Sequence, residues 1–157
     1  MKKKLTPISK YSCQLVRDAS TECYFSETMP IHSSDDVVET VKKLTNIHTA
    51  PTEQFWVLFL NLRGYVIGYS MVAQGDMYSS FVDSRAIFRA AILTNAHKII
   101  VAHNHPSGDA YPSDEDLRLT RRLVKAGRTI GINILDHIII GMDEDACSLC
   151  HEGLVDF

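Results

Sequence analysis

The segment VAHNHPSGDAYPSDED, Val101 to Asp116, gathers the residue types in this chain that can do chemistry. His103 and His105 stand two residues apart at the end of an apolar run, HKIIVAHN. If Ile99 to His105 is a strand, side chains at i and i+2 share a face, so both imidazoles project together while Asn104 points away. Imidazoles placed in this way can converge on one zinc ion at about 2.0–2.1 Å each. Pro106 then ends strand pairing, and Gly108 lets the chain turn back. A helix beginning near Ser113 can return the carboxylate of Asp116 to the same point. Two nitrogens and one oxygen leave the fourth tetrahedral position open for water, as in a catalytic rather than a structural zinc site. Such a metal lowers the pKa of its water toward about 7 and polarises a carbonyl oxygen.

Each part also has a purely structural reading. Ser113-Asp114-Glu115-Asp116 fits the helix-start pattern [ST]-x-x-[DE], so Ser113 and Asp116 can simply cap a helix. An H-x-H pair is common by chance. The compound spacing is far more specific: H-x-H-P, seven residues between His105 and Ser113, and two between Ser113 and Asp116. CSLCH, Cys147 to His151, could bind zinc or act as a redox pair. A single CxxC without a second pair reads first as two small thiols near a strand end. His137, in LDHIIIG, reads as a satisfied core histidine, at most supporting the site from behind, and Asp136 is read in the same way. Arg85 either orients a substrate or holds Asp83. Arg121, Arg122, Lys125 and Arg128 form a basic strip on one helix, ordinarily a solvated face. It is also the local patch to test against nucleic acid.

The elements that must position these groups follow from periodicity. SSDDVVETVKKLTNI predicts a capped helix over about 35–46, with Glu39 on its polar face. EQFWVLFLN, Glu53 to Asn61, reads as a central strand, and YVIGYSMV as its hairpin partner. SRAIFRAAILTNA predicts a helix over about 84–96, and HKIIVAHN a short strand. SDEDLRLTRRLVKAG predicts a helix from Ser113 to about Ala126, with Gly127 as its C-terminal stop. INILDHIIIG, Ile132 to Gly141, reads as a buried strand. Residues 1–30, broken by Pro7 and Pro30, read as an irregular arm before a domain over 31–157. Strands and helices alternate after an opening hairpin, so the expected class is α/β with a mixed β-sheet flanked by helices.

Bulk properties narrow the function classes. A chain of 157 residues can bury roughly 70% of the surface its unfolded form exposes. Its 45% hydrophobic and 22% charged content is that of a globular protein. A net charge of -3 offers no overall attraction for a polyanion. No run approaches the roughly 18 apolar residues of a membrane span. Thr6, Ser9, Lys10 and Tyr11 interrupt any apolar core after the opening lysines, so a cytoplasmic location is expected, with no membrane partner. The four cysteines, Cys13, Cys23, Cys147 and Cys150, then carry no expectation of a disulfide framework.

The segment HNHPSGDAYPSDED resembles the H-x-H-x7-S-x2-D core of the JAMM (MPN-plus) metalloproteases. The surrounding AHNHPSG, PSDEDLRLTRRL, LDHIIIG, EQFWVLFLN and DSRAIFRAAI resemble the RadC branch, from about Ile31 to the carboxyl terminus. The resemblance implies a cytidine-deaminase-like α/β fold in which His103, His105 and Asp116 bind Zn2+. It implies that Ser113 lies near the metal, where its hydroxyl supports the oxyanion of amide hydrolysis. It further implies an upstream glutamate that takes a proton from the activated water and passes it to the leaving nitrogen. Glu53 is the candidate because it opens EQFWVLFLN, and Glu39 ranks below it. The implied activity is hydrolysis of an amide or isopeptide bond in a peptide or protein substrate. The alternative is a non-catalytic, DNA-repair-associated or nucleic-acid-binding accessory module. Longer RadC relatives carry an amino-terminal helix-hairpin-helix region, for which the thirty residues before Ile31 leave no room. The tail MDEDACSLCHEG also departs from the Tyr/Ser/Phe-rich ending of short members.

Overall fold

A computed structural model describes residues 31–75, 82–142 and 145–157. The expected arm over 1–30, with Cys13 and Cys23, lies outside the described residues. Helix α1 (Ser34–Thr45) is followed by a single 3-10 turn, Ile47–Thr49, and then by strands β1 (Glu53–Leu60) and β2 (Val66–Gly75). Helix α2 (Ser84–Leu93) leads to β3 (Lys98–Asn104), α3 (Asp114–Ile130), β4 (Asn133–Ile140) and a short β5 (Ala146–Ser148). The sheet order is β2-β1-β3-β4-β5. β1 runs antiparallel to both β2 and β3, whereas β3 and β4 are parallel and joined through α3. The expected mixed α/β architecture is therefore the one found.

Both faces of the sheet are covered, which explains the unbroken apolar runs of β1, β3 and β4. Phe55, Val57 and Phe59 of β1 share one core with Ile99 and Val101 of β3, Ile87 and Phe88 of α2, and Leu123 and Val124 of α3. Leu58 and Leu60, with Ile100, Ala102, Ile138 and Ile140, face the other way against Val37 and Val41 of α1. His103 belongs to the first face and Asn104 to the second, so alternation along β3 sends neighbouring polar residues into different layers. Glu39 is exposed on α1, across the sheet from the histidines.

The caps explain where the helices begin. Ser33 and Asp36 form a reciprocal capping box on α1, Asp83 accepts from the Arg85 backbone N–H at α2, and Ser113 and Asp116 form a second capping box on α3. The end of α3 corrects the sequence expectation. Gly127 lies inside the helix, which continues to Ile130 and stops at Gly131 in the left-handed region (φ 83°). Gly127 is there for space: a Cβ at this position would lie 2.4 Å from the carbonyl oxygen of Ile132 as the chain folds back into β4. Helix α2 also ends earlier than expected, at Leu93, and β5 was not anticipated at all. The latter is three residues long and too short to show a period.

Two opposed effects meet at Gly127. Alanine in a helix interior gains about 1 kcal/mol over glycine, but overpacking against a backbone carbonyl costs about 1–3 kcal/mol. Gly127→Ala is expected to lower the urea midpoint. An unchanged or raised midpoint would mean that the Ile132 carbonyl yields freely.

Candidate metal centre

The site is built where the C-terminal end of β3 meets the N-terminus of α3. β3 ends at Asn104, so His105, expected inside the strand, lies one residue beyond it, yet its backbone N–H still donates to the Ile140 carbonyl at 2.9 Å. That bond carries the β3–β4 pairing one step further and keeps the two imidazoles together. Nε2 of His103 and Nε2 of His105 lie 2.9 Å apart. Asp116 Oδ1 is 3.2 Å from His103 Nε2, and Asp116 Oδ2 is 3.4 Å from His105 Nε2. A tetrahedral ion with bonds of about 2.0–2.1 Å separates its ligands by roughly 3.3 Å. The three residues therefore offer one donor atom each at spacings that fit a metal, and theirs is the metal-type cluster of His, Cys, Asp or Glu among the described residues.

The direction of the lone pairs supports the same fit. His105 Nδ1 lies 2.7 Å from the backbone carbonyl oxygen of Asp109. A carbonyl only accepts, so Nδ1 carries the hydrogen and the neutral ring keeps its lone pair at Nε2, facing His103 and Asp116. Asp109 is itself held by a fold-back of the loop: Ala110 N–H donates to Asp145 Oδ2 at 2.8 Å, and Met142 N–H to the Gly108 carbonyl at 2.9 Å.

The helix-cap and site readings of Ser113 and Asp116 turn out to be one arrangement. Asp116 Oδ2 accepts from the Ser113 N–H at 2.8 Å and from its hydroxyl at 2.6 Å, and Ser113 Oγ accepts from Asp116 N–H. The capping box thus aims Asp116 Oδ1 at His103 while Oδ2 faces His105. Burial alone would raise the pKa of Asp116. Once the imidazoles are protonated at Nε2, the hydrogen bonds from His103 and His105, the positive field of His103 and the Ser113 hydroxyl bond outweigh it and hold the carboxyl well below the usual carboxylate range. Reciprocally, the Asp116 hydrogen bond raises His105, burial works against it, and Glu53 adds further negative field.

Glu53 is brought to the same end of the sheet. Phe55 pairs with His103 in the antiparallel β1–β3 register, so two residues earlier Glu53 stands level with His105 on the face that carries Phe55. Glu53 is only half-buried. Its backbone is fixed by a residue that the sequence reading passed over. Asn104, turned to the opposite face, accepts from Gln54 N–H at 2.8 Å and donates to the Ala50 and Thr52 carbonyls at 3.3 and 3.2 Å. Those partners are some fifty residues away in sequence, so no local pattern reveals them.

The other singled-out residues fall outside the cluster. Asp136 is buried and accepts from His137 N–H, Cys150 N–H and the Ser148 hydroxyl, fastening β5 and the following turn to β4. Burial pushes its carboxyl up, against the pull of those three donors. Cys147 and Cys150 are free thiols raised by burial and nearby carboxylates, the opposite of an activated thiolate. Arg85 grips its own helix cap, Asp83, at 3.0 Å. Arg121 and Arg128 reach the C-terminal segment at the Leu154 and Asp156 carbonyls. His137 lies directly behind His103, with Nε2 2.8 Å from His103 Nδ1.

A mixed sheet with H-x-H at the end of a central strand, and a carboxylate returned by the next helix, defines an α/β domain of the JAB/MPN type. Residues 31–154 match the family model of the RadC-like JAB domain, and the chain belongs to that family. It is 42% identical over 127 residues to a UPF0758 protein of Syntrophomonas wolfei, covering 80% of this chain and 54% of the relative. It is 43% identical over 129 residues to one from Staphylococcus carnosus, covering 82% and 54%. It is 52% identical over 89 residues to one from Symbiobacterium thermophilum, covering 57% and 38%. The chain thus spans about half the length, or less, of these curated relatives. No helix among the described residues is long and apolar enough to cross a membrane.

The charges of the cluster give the metal-free protein a defined pH response. Asp116, with its lowered folded pKa, contributes stability that is present above its unfolded value near 4 and lost as pH falls below it. His105, with its raised folded pKa, contributes stability that is present below about 6.5 and lost as pH rises through its folded value. The stability difference between wild type and Asp116→Asn, read from urea midpoints without metal, should be widest between about pH 5 and 6.5 and shrink on both sides. A difference independent of pH would contradict the ionic account of the cluster.

Proposed function

We propose that this chain is a zinc-dependent metallohydrolase of the JAMM type that cleaves an amide or isopeptide bond in a peptide or protein. The observation that carries the reading is the set of 2.9, 3.2 and 3.4 Å separations among His103 Nε2, His105 Nε2 and Asp116. In this reading His103, His105 and Asp116 hold Zn2+, which when bound would lower the pKa of a water and polarise the scissile carbonyl. Glu53 takes the proton of the attacking water on its carboxylate and delivers it to the departing nitrogen. Ser113 turns its hydroxyl from Asp116 toward the developing oxyanion. A cavity of about 290 Å³ lined by Asp109, Tyr111, Asp145 and Glu152 adjoins the loop whose Asp109 carbonyl holds His105, and offers room for part of a substrate chain.

The alternative reading, a nucleic-acid-associated accessory module, draws on the exposed strip Arg121, Arg122, Lys125 and Arg128. Arg128 is paired with Asp156 at 3.5 Å, and the net charge is -3, so the hydrolase reading is preferred.

The deciding measurement is zinc content by elemental analysis of tag-free protein. About one zinc per chain is expected in wild type, lost in His103→Ala and in Asp116→Ala. Zinc absent from wild type after reconstitution would overturn the proposal. Retention in both variants would move the metal to Cys147, Cys150 and His151. With a cleaved peptide or isopeptide substrate in hand, Glu53→Gln should keep its zinc and lose roughly 10²–10⁴-fold in turnover. DNA affinity with a steep salt dependence, and no hydrolysis, would favour the accessory module.

A further inference from the structure

Behind the cluster, three hydrogen bonds run from the main chain of α3 to His103. Thr120 Oγ1 lies 2.6 Å from the Asp116 carbonyl oxygen and 2.6 Å from His137 Nδ1. A hydroxyl has one hydrogen and a carbonyl only accepts, so that hydrogen goes to Asp116. The opposite choice would leave two acceptor oxygens facing each other at 2.6 Å in a buried site. Thr120 Oγ1 must then accept from His137, and Nδ1 of His137 carries a hydrogen. The His137 ring is fully buried and touches no carboxylate, so it is neutral and its Nε2 is bare. That nitrogen accepts from His103 Nδ1–H at 2.8 Å. In its neutral form the His103 ring therefore presents an unprotonated Nε2 toward His105 and Asp116.

The chain closes on itself. It starts at the backbone of Asp116, passes through Thr120, His137 and His103, and returns to the side chain of Asp116 at 3.2 Å. Aromatic packing fixes the ring planes: Phe55 stacks on His103 at 5.8 Å and 13°, and meets His137 edge-on at 5.5 Å. The parallel register sets Val101 beside His137 and His103 beside Ile139, so both imidazoles project from the same face of adjacent strands.

We infer that Thr120 and His137 are positioning residues that lock His103 in its Nδ1–H tautomer and so keep its Nε2 lone pair aimed at the metal position. This rests on the metal-binding reading above. It assigns the two proposed histidine ligands different supports, a backbone carbonyl for His105 and a buried neutral imidazole for His103. Outer partners of this kind typically carry 10–100-fold in metal affinity.

The test uses the full-length chain labelled with 15N-histidine. In metal-free wild type near pH 8, two-bond nitrogen–proton correlations are expected to show His103 and His137 both as Nδ1–H tautomers. Zinc affinity, measured by competition with a chromophoric chelator, should fall about 10–100-fold in Thr120→Val and in His137→Leu. Thr120→Ser, which keeps the hydroxyl, should stay within about threefold of wild type. Far- and near-ultraviolet circular dichroism establishes that each variant is folded. An Nε2–H tautomer on His103 in wild type would overturn the inference. So would folded Thr120→Val with wild-type zinc affinity, or a Thr120→Ser loss equal to that of Thr120→Val. Wild type with the expected tautomers but no zinc affinity would overturn the metal reading while leaving the hydrogen-bond chain standing.

Discussion

Three lone-pair donors are held within 3.4 Å of their neighbours by the end of one strand and the start of one helix. Left to themselves, two bare imidazole nitrogens and a carboxylate repel. The arrangement exists only because each is committed elsewhere on its outer side. His105 is anchored through Nδ1 to a loop carbonyl, His103 through Nδ1 to His137, and Asp116 through the Ser113 cap. Much of the surrounding structure serves as the frame for that convergence: the packed β3–β4 pair, the fold-back of residues 105–113 onto Met142 and Asp145, and the aromatic wall of Phe55. Such preorganisation concentrates negative potential at a point where only a proton or a cation can relieve it.

The same economy appears in the helix start. A capping box usually satisfies two orphan backbone N–H groups and little more. Here it also fixes the rotamer of the carboxylate that completes the cluster, so a local stabilising motif and the long-range geometry of the cluster share the Asp116 carboxylate. The buried polar residues divide the remaining work. Asp136 ties β5 to β4 and takes no part in the cluster, whereas Asn104 crosses to the opposite face and secures the backbone on either side of Glu53. Two neighbours on one strand, His103 and Asn104, thereby position the metal-type cluster and the glutamate from opposite sides of the sheet.

Much of this was legible in the residues themselves. The period-3.6 pattern and caps located α1 and α3, and the continuous apolar runs located β1, β3 and β4, because burial on both faces leaves no other composition. The limits were those of local reasoning. Gly127 carries the residue type of a helix stop, but its role is to let the Ile132 carbonyl pass close by, a contact that exists only after the chain has turned. Thr120 gave a partial local signal, since a helical threonine can bond the carbonyl four residues back. Its second bond, to His137, crosses from helix to strand and has no periodic trace.

By itself the sequence determined the alternation of strands and helices, and the spacing that lets His103, His105, Ser113 and Asp116 meet, because those depend on rise per residue and on caps that act over a few positions. Tertiary structure alone decided which nitrogen of each histidine faces the cluster, which residue secures Glu53, and that Asp136 is an anchor rather than a site group. The physical reason is that a hydrogen-bonding group takes its direction from the partner it meets. Here those partners are a loop carbonyl for His105, a buried imidazole for His103 and a segment fifty residues upstream for Asn104, each brought by folding to hydrogen-bond distance of the group it directs.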